Sequence, residues 1–243
     1  MQDLAVIIPA KDEADRIAAT VKAAQELPGA GLVVVVDDGS SDGTGRAARD
    51  AGARVVRHSR NRGKGAAMET GAEAVRLLDD DRDQPRHLLF LDADLAETAR
   101  EAAPLVEPVR AGDADMTIAV FTTTVKLGGH GFVVRLSREG IRRATGWEPA
   151  APLNGQRCLT RAAFDAALPL AAGFGVETAL TIDLLRQGFR VREVEVPLAH
   201  RATGTDWRAQ LHRGRQFRDV ARALAVREPA VARRLGRVRG SRP

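Results

Sequence analysis

The sequence predicts an α/β fold, with a mostly parallel sheet carrying helices on both faces and a basic carboxyl-terminal helical extension. Three observations lead there. Apolar runs too continuous for a half-exposed strand recur at Leu4–Ile8, Leu32–Val36 and Leu88–Leu91, as parallel strands buried on both faces require. Strand and helix patterns alternate five times within the first 120 residues, the rhythm of a doubly wound sheet. Carboxylates and glycines collect where the runs end, at the edge where open α/β sheets bind ligands.

Each element has a local reason. Leu4–Ile8 is a first buried strand that Pro9 is expected to stop. Residues 10–27 place Ile17, Val21, Ala24 and Leu27 at helical spacing, with Asp12, Glu13 and Asp15 near the start, where the helix dipole favours them, and Pro28-Gly29 at the end. Leu32–Val36 leads through the polar turn Asp37-Asp38-Gly39-Ser40-Ser41-Asp42-Gly43-Thr44 into a helix reaching Ala51. Arg54–His58 is a third strand, and Asn61-Arg62-Gly63-Lys64-Gly65 opens a helix over 66–78. Its glycines allow close approach of backbone to ligand, and Lys64 offers a point charge for a phosphate. Asp79–Asp83 reads as a solvated acidic loop. His87–Leu91 is a central strand, and a helix is expected to run on to about Arg110 despite Pro104 and Pro108, before a strand at Asp115–Val120.

The pattern then changes. Phe121–Val125 and Phe132–Arg135 flank the glycine-rich link Lys126-Leu127-Gly128-Gly129-His130-Gly131, expected to be a loop that moves over the site. A helix over Ser137–Thr145 precedes Leu153-Asn154-Gly155-Gln156-Arg157, and Thr160 is the cap of a helix ending near Leu168. Gly173-Phe174-Gly175-Val176-Glu177 opens another helix with Glu177 in its first turn, and Arg190–Pro197 is a half-exposed edge strand. Asp206 is the cap candidate for a helix from Trp207 to about Ala225, with one apolar stripe among arginines.

The 243 residues suit one domain with a small appendage. No apolar run approaches about 18 residues and no basic-then-apolar leader opens the chain, so the expected location is the cytoplasm. Cys158, the single cysteine, excludes an internal disulfide and a thiolate zinc cluster, and reads as a core residue. From Arg201 onward twelve arginines face Asp206, Asp219 and Glu228, a net +9 within a total of +5. This asymmetry is either a solvated basic helix or a surface for anions such as phosphorylated substrates, lipid headgroups at the inner face of a membrane, or nucleic acid. Nucleic acid is disfavoured by the scarcity of aromatics for stacking and the lack of a recognition-helix or zinc motif.

Asp92 and Asp94 carry the most chemistry. Two carboxylates one residue apart at the exit of a buried strand either end the strand or share a divalent cation. Such a cation, together with Lys64, would stabilise charge developing on a departing phosphate.

Taken together, Ile8-Pro9-Ala10-Lys11-Asp12-Glu13, Asp37-Asp38-Gly39-Ser40 with Asp42-Gly43-Thr44, Asn61-Arg62-Gly63-Lys64-Gly65 and Asp92-Ala93-Asp94 resemble, in order, the motifs of family 2-like nucleotide-sugar glycosyltransferases of the GT-A class, a Rossmann-like fold. The resemblance covers roughly residues 1–125. Residues 173–177 and His200 more loosely resemble glucosyl-3-phosphoglycerate synthases and polyprenyl-phosphate sugar transferases. It implies a catalytic domain over 1–200, with a nucleotide-sugar half at 1–125 and an acceptor-side half at 126–200, and a basic extension over 201–243.

By the same resemblance, Pro9, Glu13, Asp38, Lys64 and Asp92 bind the nucleotide sugar, and Asp92, Asp94 and His200 hold Mg²⁺ or Mn²⁺. Asp94, Glu177 and Lys64 serve catalysis, and Lys126, Asn154, Gln156, Arg157 and Arg201 face the acceptor. The implied activity moves a hexose from a UDP- or GDP-sugar to a polyprenyl-phosphate or small phosphorylated acceptor, with peripheral membrane contact through the basic helix and a homodimer as further expectations. The alternatives are a soluble retaining enzyme of the glucosyl-3-phosphoglycerate synthase type, a sugar-phosphate nucleotidyltransferase, and a non-catalytic anion- or RNA-binding protein. A nucleotidyltransferase would want a glycine-rich basic loop after the first strand, where this chain has Lys11-Asp12-Glu13.

Overall fold

The computed structural model describes residues 2–122, 131–197 and 207–227. Seven strands, β1 (Leu4–Ala10), β2 (Ala30–Asp37), β3 (Arg54–Arg57), β4 (His87–Phe90), β5 (Met116–Phe121), β6 (Arg157–Leu159) and β7 (Val191–Val196), form one sheet in the order β3-β2-β1-β4-β6-β5-β7. The ladders β3/β2, β2/β1, β1/β4 and β5/β7 are parallel, and β6 runs antiparallel between β4 and β5.

Alternation along fully buried strands builds two cores. Leu4, Val6 and Ile8 of β1 face one way, onto Ile17 and Val21 of α1 (Ala14–Gln25) and Leu105 of a 3₁₀ segment (Ala96–Leu105). The intervening Ala5 and Ile7 face the other way, with Met68 and Val75 of α3 (Lys64–Leu78), and with Phe164 and Leu180 beyond. Each fully buried aliphatic side chain contributes about 1.5–3 kcal/mol of transfer free energy, so a strand apolar at every position is held from both sides. The short α2 (Thr44–Asp50) and α4 (Glu107–Arg110) complete the first half.

Several boundaries differ from the sequence expectation for physical reasons. Pro9 does not stop β1: it pairs with Val36, at a point where the β4 register has already ended at Ile7↔Phe90, so one flank of the strand no longer needs a ladder donor. Residues 11–13 are not helical, because Asp12 turns the chain at φ 55° and α1 starts only at Ala14. The expected helix to Arg110 is a 3₁₀ segment containing Pro104 followed by the four-residue α4, the interruption that a missing N–H imposes. Asp79 is buried and paired with Arg86, so the acidic run is not solvated throughout. The helix expected from Ser137 already begins at Gly131: α5 (Gly131–Thr145) buries Val133, Ser137 and Ile141 along one stripe. β6 was not legible as a strand, since three residues are too few to show a period.

In the second half, Thr160 caps α6 (Arg161–Ala166), its Oγ1 accepting from Ala163 N. A 3₁₀ turn (Gly173–Gly175) leads into α7 (Val176–Arg186), and α8 (Trp207–Arg227) follows β7. Over 216–227 the basic helix is part of the body. Val220 and Ala223 are buried, Asp219 accepts from Phe174 N, and Arg227 pairs with Asp183 of α7. Residues 123–130, 198–206 and 228–243 lie outside the described residues, and with them the expected loop motion, the Asp206 cap and the roles expected of Lys126, His200 and Arg201.

Gly71 of α3 shows how closely the layers meet: a Cβ there would lie 2.4 Å from Ile7 Cγ2. Gly71→Val should lower the unfolding free energy by about 2–3 kcal/mol through overpacking, since the helix-propensity gain over glycine is only about half a kcal/mol. Urea unfolding of both proteins checks this, and a variant as stable as the parent contradicts it.

Candidate functional site

The carboxyl ends of β1, β2 and β4 meet the first turns of α3 and α7, and short polar side chains lace the loops together. Asp12 N donates to Ser40 Oγ (3.0 Å) and Glu13 N to Thr44 Oγ1 (2.8 Å), while Asp12 Oδ1 accepts from Ser41 N (2.7 Å). The hydroxyls of the turn after β2 thus satisfy backbone donors of the turn after β1, which would otherwise be orphaned beside a cleft. Asp38, expected to line a nucleoside pocket, has its carboxylate turned inward. Oδ1 accepts from Arg62 N (2.7 Å) and lies 2.7 Å from His58 Nδ1, and Oδ2 accepts from Gly63 N (2.8 Å).

Lys64 is the first residue of α3, directly after Gly63 at φ 90°. Its Nζ lies 2.8 Å from Asp92 Oδ1 and 2.9 Å from Glu177 Oε1. Burial works against the ammonium, but Asp92 and Glu177 outweigh it and hold its pKa above the usual lysine value. Asp92 Oδ2 accepts from Gln156 Nε2 (2.7 Å), which brings the loop before β6 to the same point. Gly155 leaves room for this cluster, since a Cβ there would lie 2.3 Å from Lys64 Nζ and 2.8 Å from Asp92 Oδ1.

Asp94 stands apart. It is partly buried, no described residue bonds its carboxylate, and its charge reaches Glu13 across the cleft. The Glu13 carboxyl is raised above the ordinary range, chiefly by burial, with Arg16 opposing and Asp94 adding to the shift. Two buried oxygens, Glu13 Oε2 and Gln156 Oε1, accept no hydrogen bond from the described residues, although Arg16 Nη2 comes within 3.1 Å of the former. Gln156 Oε1, buried without a donor among the described residues, and the Asp94 carboxylate suit a site that receives a donor or a cation. The oxygen donors Asp94 and Asp92 fit Mg²⁺ or Mn²⁺. Among the described residues no third metal-binding side chain joins them, and His200 lies outside those residues.

Of the expected acceptor residues, Arg157 requires a correction. It is fully buried, and burial lowers its pKa to about 10. Its Nη1 donates to Glu177 O (3.0 Å) and Thr181 Oγ1 (2.9 Å), its Nε to Asn154 O (2.8 Å) and its Nη2 to Pro152 O (3.2 Å). No face of the guanidinium is left for an acceptor phosphate. The residue instead ties the loop carrying Gly155 and Gln156 to the helix carrying Glu177. Asn154 turns its Oδ1 to Gln156 N (2.8 Å), and Pro9 sits half-buried at the end of β1. His58, which lies against Asp38, and Gly155, which leaves room for Lys64, do not stand out in the sequence. A histidine closing a strand just before a glycine-bearing turn was the available signal for the first of them.

With this geometry in hand, comparison with known proteins is decisive. Residues 5–161 match the model of glycosyl transferase family 2. The chain belongs to that family. This family 2 chain is 30% identical over 209 residues to the glycosyltransferase AglJ of Haloferax volcanii, a match covering 83% of this chain and 64% of AglJ. It is 36% identical over 155 residues to the succinoglycan biosynthesis protein ExoU of Rhizobium meliloti, covering 58% of this chain and 45% of ExoU. It therefore spans less than two thirds of the length of these curated relatives. Among solved structures it is similar to glucosyl-3-phosphoglycerate synthase of Mycobacterium tuberculosis in complex with Mn²⁺, UDP and phosphoglyceric acid, with TM-score 0.72, 25% identity, and 92% of this chain and 78% of that chain covered. The same enzyme with Mn²⁺, UDP-glucose and phosphoglyceric acid matches at TM-score 0.72 and 26% identity, over 92% of this chain and 79% of that one. The fold is thus of the GT-A type.

Gly155→Ala tests the cluster directly. The atoms in the way, Lys64 Nζ and Asp92 Oδ1, are side-chain ends that can part, so the unfolding temperature should stay within about 5 °C of the parent. A crystal structure of the variant should show Lys64 Nζ parted from Asp92, and an unchanged pair would contradict the packing described here.

Proposed function

We propose that this chain transfers a hexose from a UDP-sugar to a small phosphorylated acceptor, with Mg²⁺ or Mn²⁺ as cofactor. The carrying observation is the Lys64 ammonium held between Asp92 and Glu177, with Asp94 two residues beyond Asp92 and its carboxylate bonded by no described residue, at the ligand-binding edge of a family 2 fold. The solved relatives hold UDP or UDP-glucose with Mn²⁺ and phosphoglyceric acid, which supports the small phosphorylated acceptor over the polyprenyl phosphate expected beside it.

The chemistry follows from charge. When the bond between sugar and diphosphate breaks, negative charge grows on the phosphate oxygens, and groups already aimed at that charge lower the barrier without reorganising. Lys64 stands ready as one such group. Asp94, with Asp92, would hold the metal, which when bound supplies a divalent charge to the same oxygens. Glu177 is buried and ion-paired to Lys64, an arrangement suited to accepting a hydrogen bond from a sugar hydroxyl. An acceptor hydroxyl must give up its proton as it attacks, and the departing diphosphate, whose oxygens gain the charge, can take it; only an acceptor attacking through a phosphate oxygen would arrive largely deprotonated. Lys126 and Arg201 are the proposed partners for the phosphate that the acceptor carries.

A second reading, a lipid-phosphate acceptor at a membrane surface, is favoured by one observation. Phe132 and Phe217 stack at 5.4 Å, both exposed, with the Arg135 guanidinium 5.8 Å from the Phe132 ring. Among the described residues no helix is long and apolar enough to cross a membrane.

Thermal shift with a panel of UDP- and GDP-sugars, with and without Mn²⁺ or Mg²⁺, tests the main reading. A UDP-sugar should stabilise the protein only when metal is present, by about 2.7 kcal/mol at a concentration a hundred times its Kd. Asp94→Ala should remove the metal-dependent part. No shift with any donor in either metal would sink the proposal.

A further inference from the structure

A second buried polar chain lies behind the Lys64 cluster. His58, 6% exposed at the end of β3, places Nδ1 2.7 Å from Asp38 Oδ1 and Nε2 2.9 Å from Thr70 Oγ1 on α3. Asp38, 5% exposed, takes the backbone N–H groups of Arg62 and Gly63 on its two oxygens at 2.7 and 2.8 Å. Those are the two residues before Lys64. The turn between β3 and α3 is also pressed from outside its own chain segment, since a Cβ at Gly39 would lie 2.6 Å from Arg60 C.

We infer that His58 is a positioning residue for Lys64, acting through Asp38. An imidazole is suited to the place because it can donate at one end and accept at the other. With Nδ1–H donating to the Asp38 carboxylate, Nε2 accepts the Thr70 hydroxyl proton, and the ring spans the gap between β3 and the body of α3. The carboxylate is then fixed in the plane that meets both N–H groups of residues 62 and 63. These hold Gly63 in its left-handed turn and set where α3 begins. Lys64 inherits its place from that start, and so do its contacts with Asp92 and Glu177. Without the imidazole, buried Asp38 keeps only its two backbone donors, the carboxylate is free to rotate, and the strap before Lys64 loosens. Displacements of about 1 Å in such positioning groups can cost about a hundredfold in rate.

The inference rests on the donor-site reading only for the choice of ligand, and the test separates the two. UDP affinity in the presence of Mn²⁺ would be measured by calorimetry, alongside unfolding temperature, for the parent, His58→Ala, His58→Asn and Thr70→Val. His58→Ala should weaken UDP binding about tenfold, the consequence of leaving a buried acceptor short of a donor. His58→Asn puts an amide N–H where Nδ1–H stood, and should recover binding to within about threefold of the parent while keeping the loss in unfolding temperature, since packing and the Thr70 contact are still missing. Equal losses of unfolding temperature in both variants with parental UDP affinity would overturn the inference and leave His58 as core filling. Should His58→Ala not fold, Thr70→Val and His58→Leu decide: the first leaves the Asp38 donor in place and should bind UDP within about threefold of the parent, the second removes it and should lose about tenfold, and equal affinity in the two overturns the inference. Should the parent bind no UDP, the donor reading fails by itself. His58 is then judged by ligand-free crystal structures, where His58→Ala must shift Lys64 Nζ off Asp92 and an unmoved lysine overturns the inference.

Discussion

An ammonium wedged between two carboxylates, Lys64 between Asp92 and Glu177, is the interaction on which the rest of the arrangement depends. The three residues come from the start of α3, the exit of β4 and the first turn of α7, and only the finished sheet brings those elements together. As a source of stability the cluster is poor, because desolvating the charges offsets most of their attraction. In the proposed reaction its part is to keep a cation in the cleft until an anionic substrate arrives. The Asp92 and Glu177 side chains hold Lys64 extended and charged, so little ordering remains to be done when a diphosphate enters.

The supporting residues have the same logic. Asp38 and His58 fix the turn before Lys64, and Gln156 holds the second oxygen of Asp92. Buried Arg157 joins the loop of Gly155 and Gln156 to the backbone of Glu177. None of these side chains needs to touch a substrate to matter, because each sets the geometry of a residue proposed to do so. The carboxyl-terminal helix belongs here too, since Asp219 packs on the glycines at 173 and 175 that lead into α7.

Much of this was legible in the sequence wherever local pattern and global fold agree. Continuous valines and leucines announced the central strands, and the Asp37–Thr44 and Asn61–Gly65 motifs announced the binding edge. Lys64 and Asp92 stood out by residue type and position, and Glu177 through the family resemblance. Their direct contact was not legible, because 28 and 113 residues separate Lys64 from its partners and no periodicity reports such a distance. Arg157 was misread for a related reason: an arginine beside an Asn-Gly turn looks like an anion site until its burial and its four carbonyl and hydroxyl partners are seen. Asp38 shows the same limit in milder form, since its type pointed to a ligand while its oxygens serve the neighbouring turn. β6 and the true start of α5 were hidden by brevity and by an apolar, β-branched opening turn, Phe132-Val133-Val134, whose helical stripe appears only with Ser137 and Ile141.

A crystal structure with UDP and Mn²⁺ bound is the most direct measurement of the central claim. It should show the diphosphate oxygens within hydrogen-bond distance of Lys64 Nζ and the metal on the Asp94 carboxylate, with Glu177 still at the rim of the same cleft. A nucleotide bound elsewhere, with Lys64 left on Asp92 and Glu177 and no metal at Asp94, would contradict it.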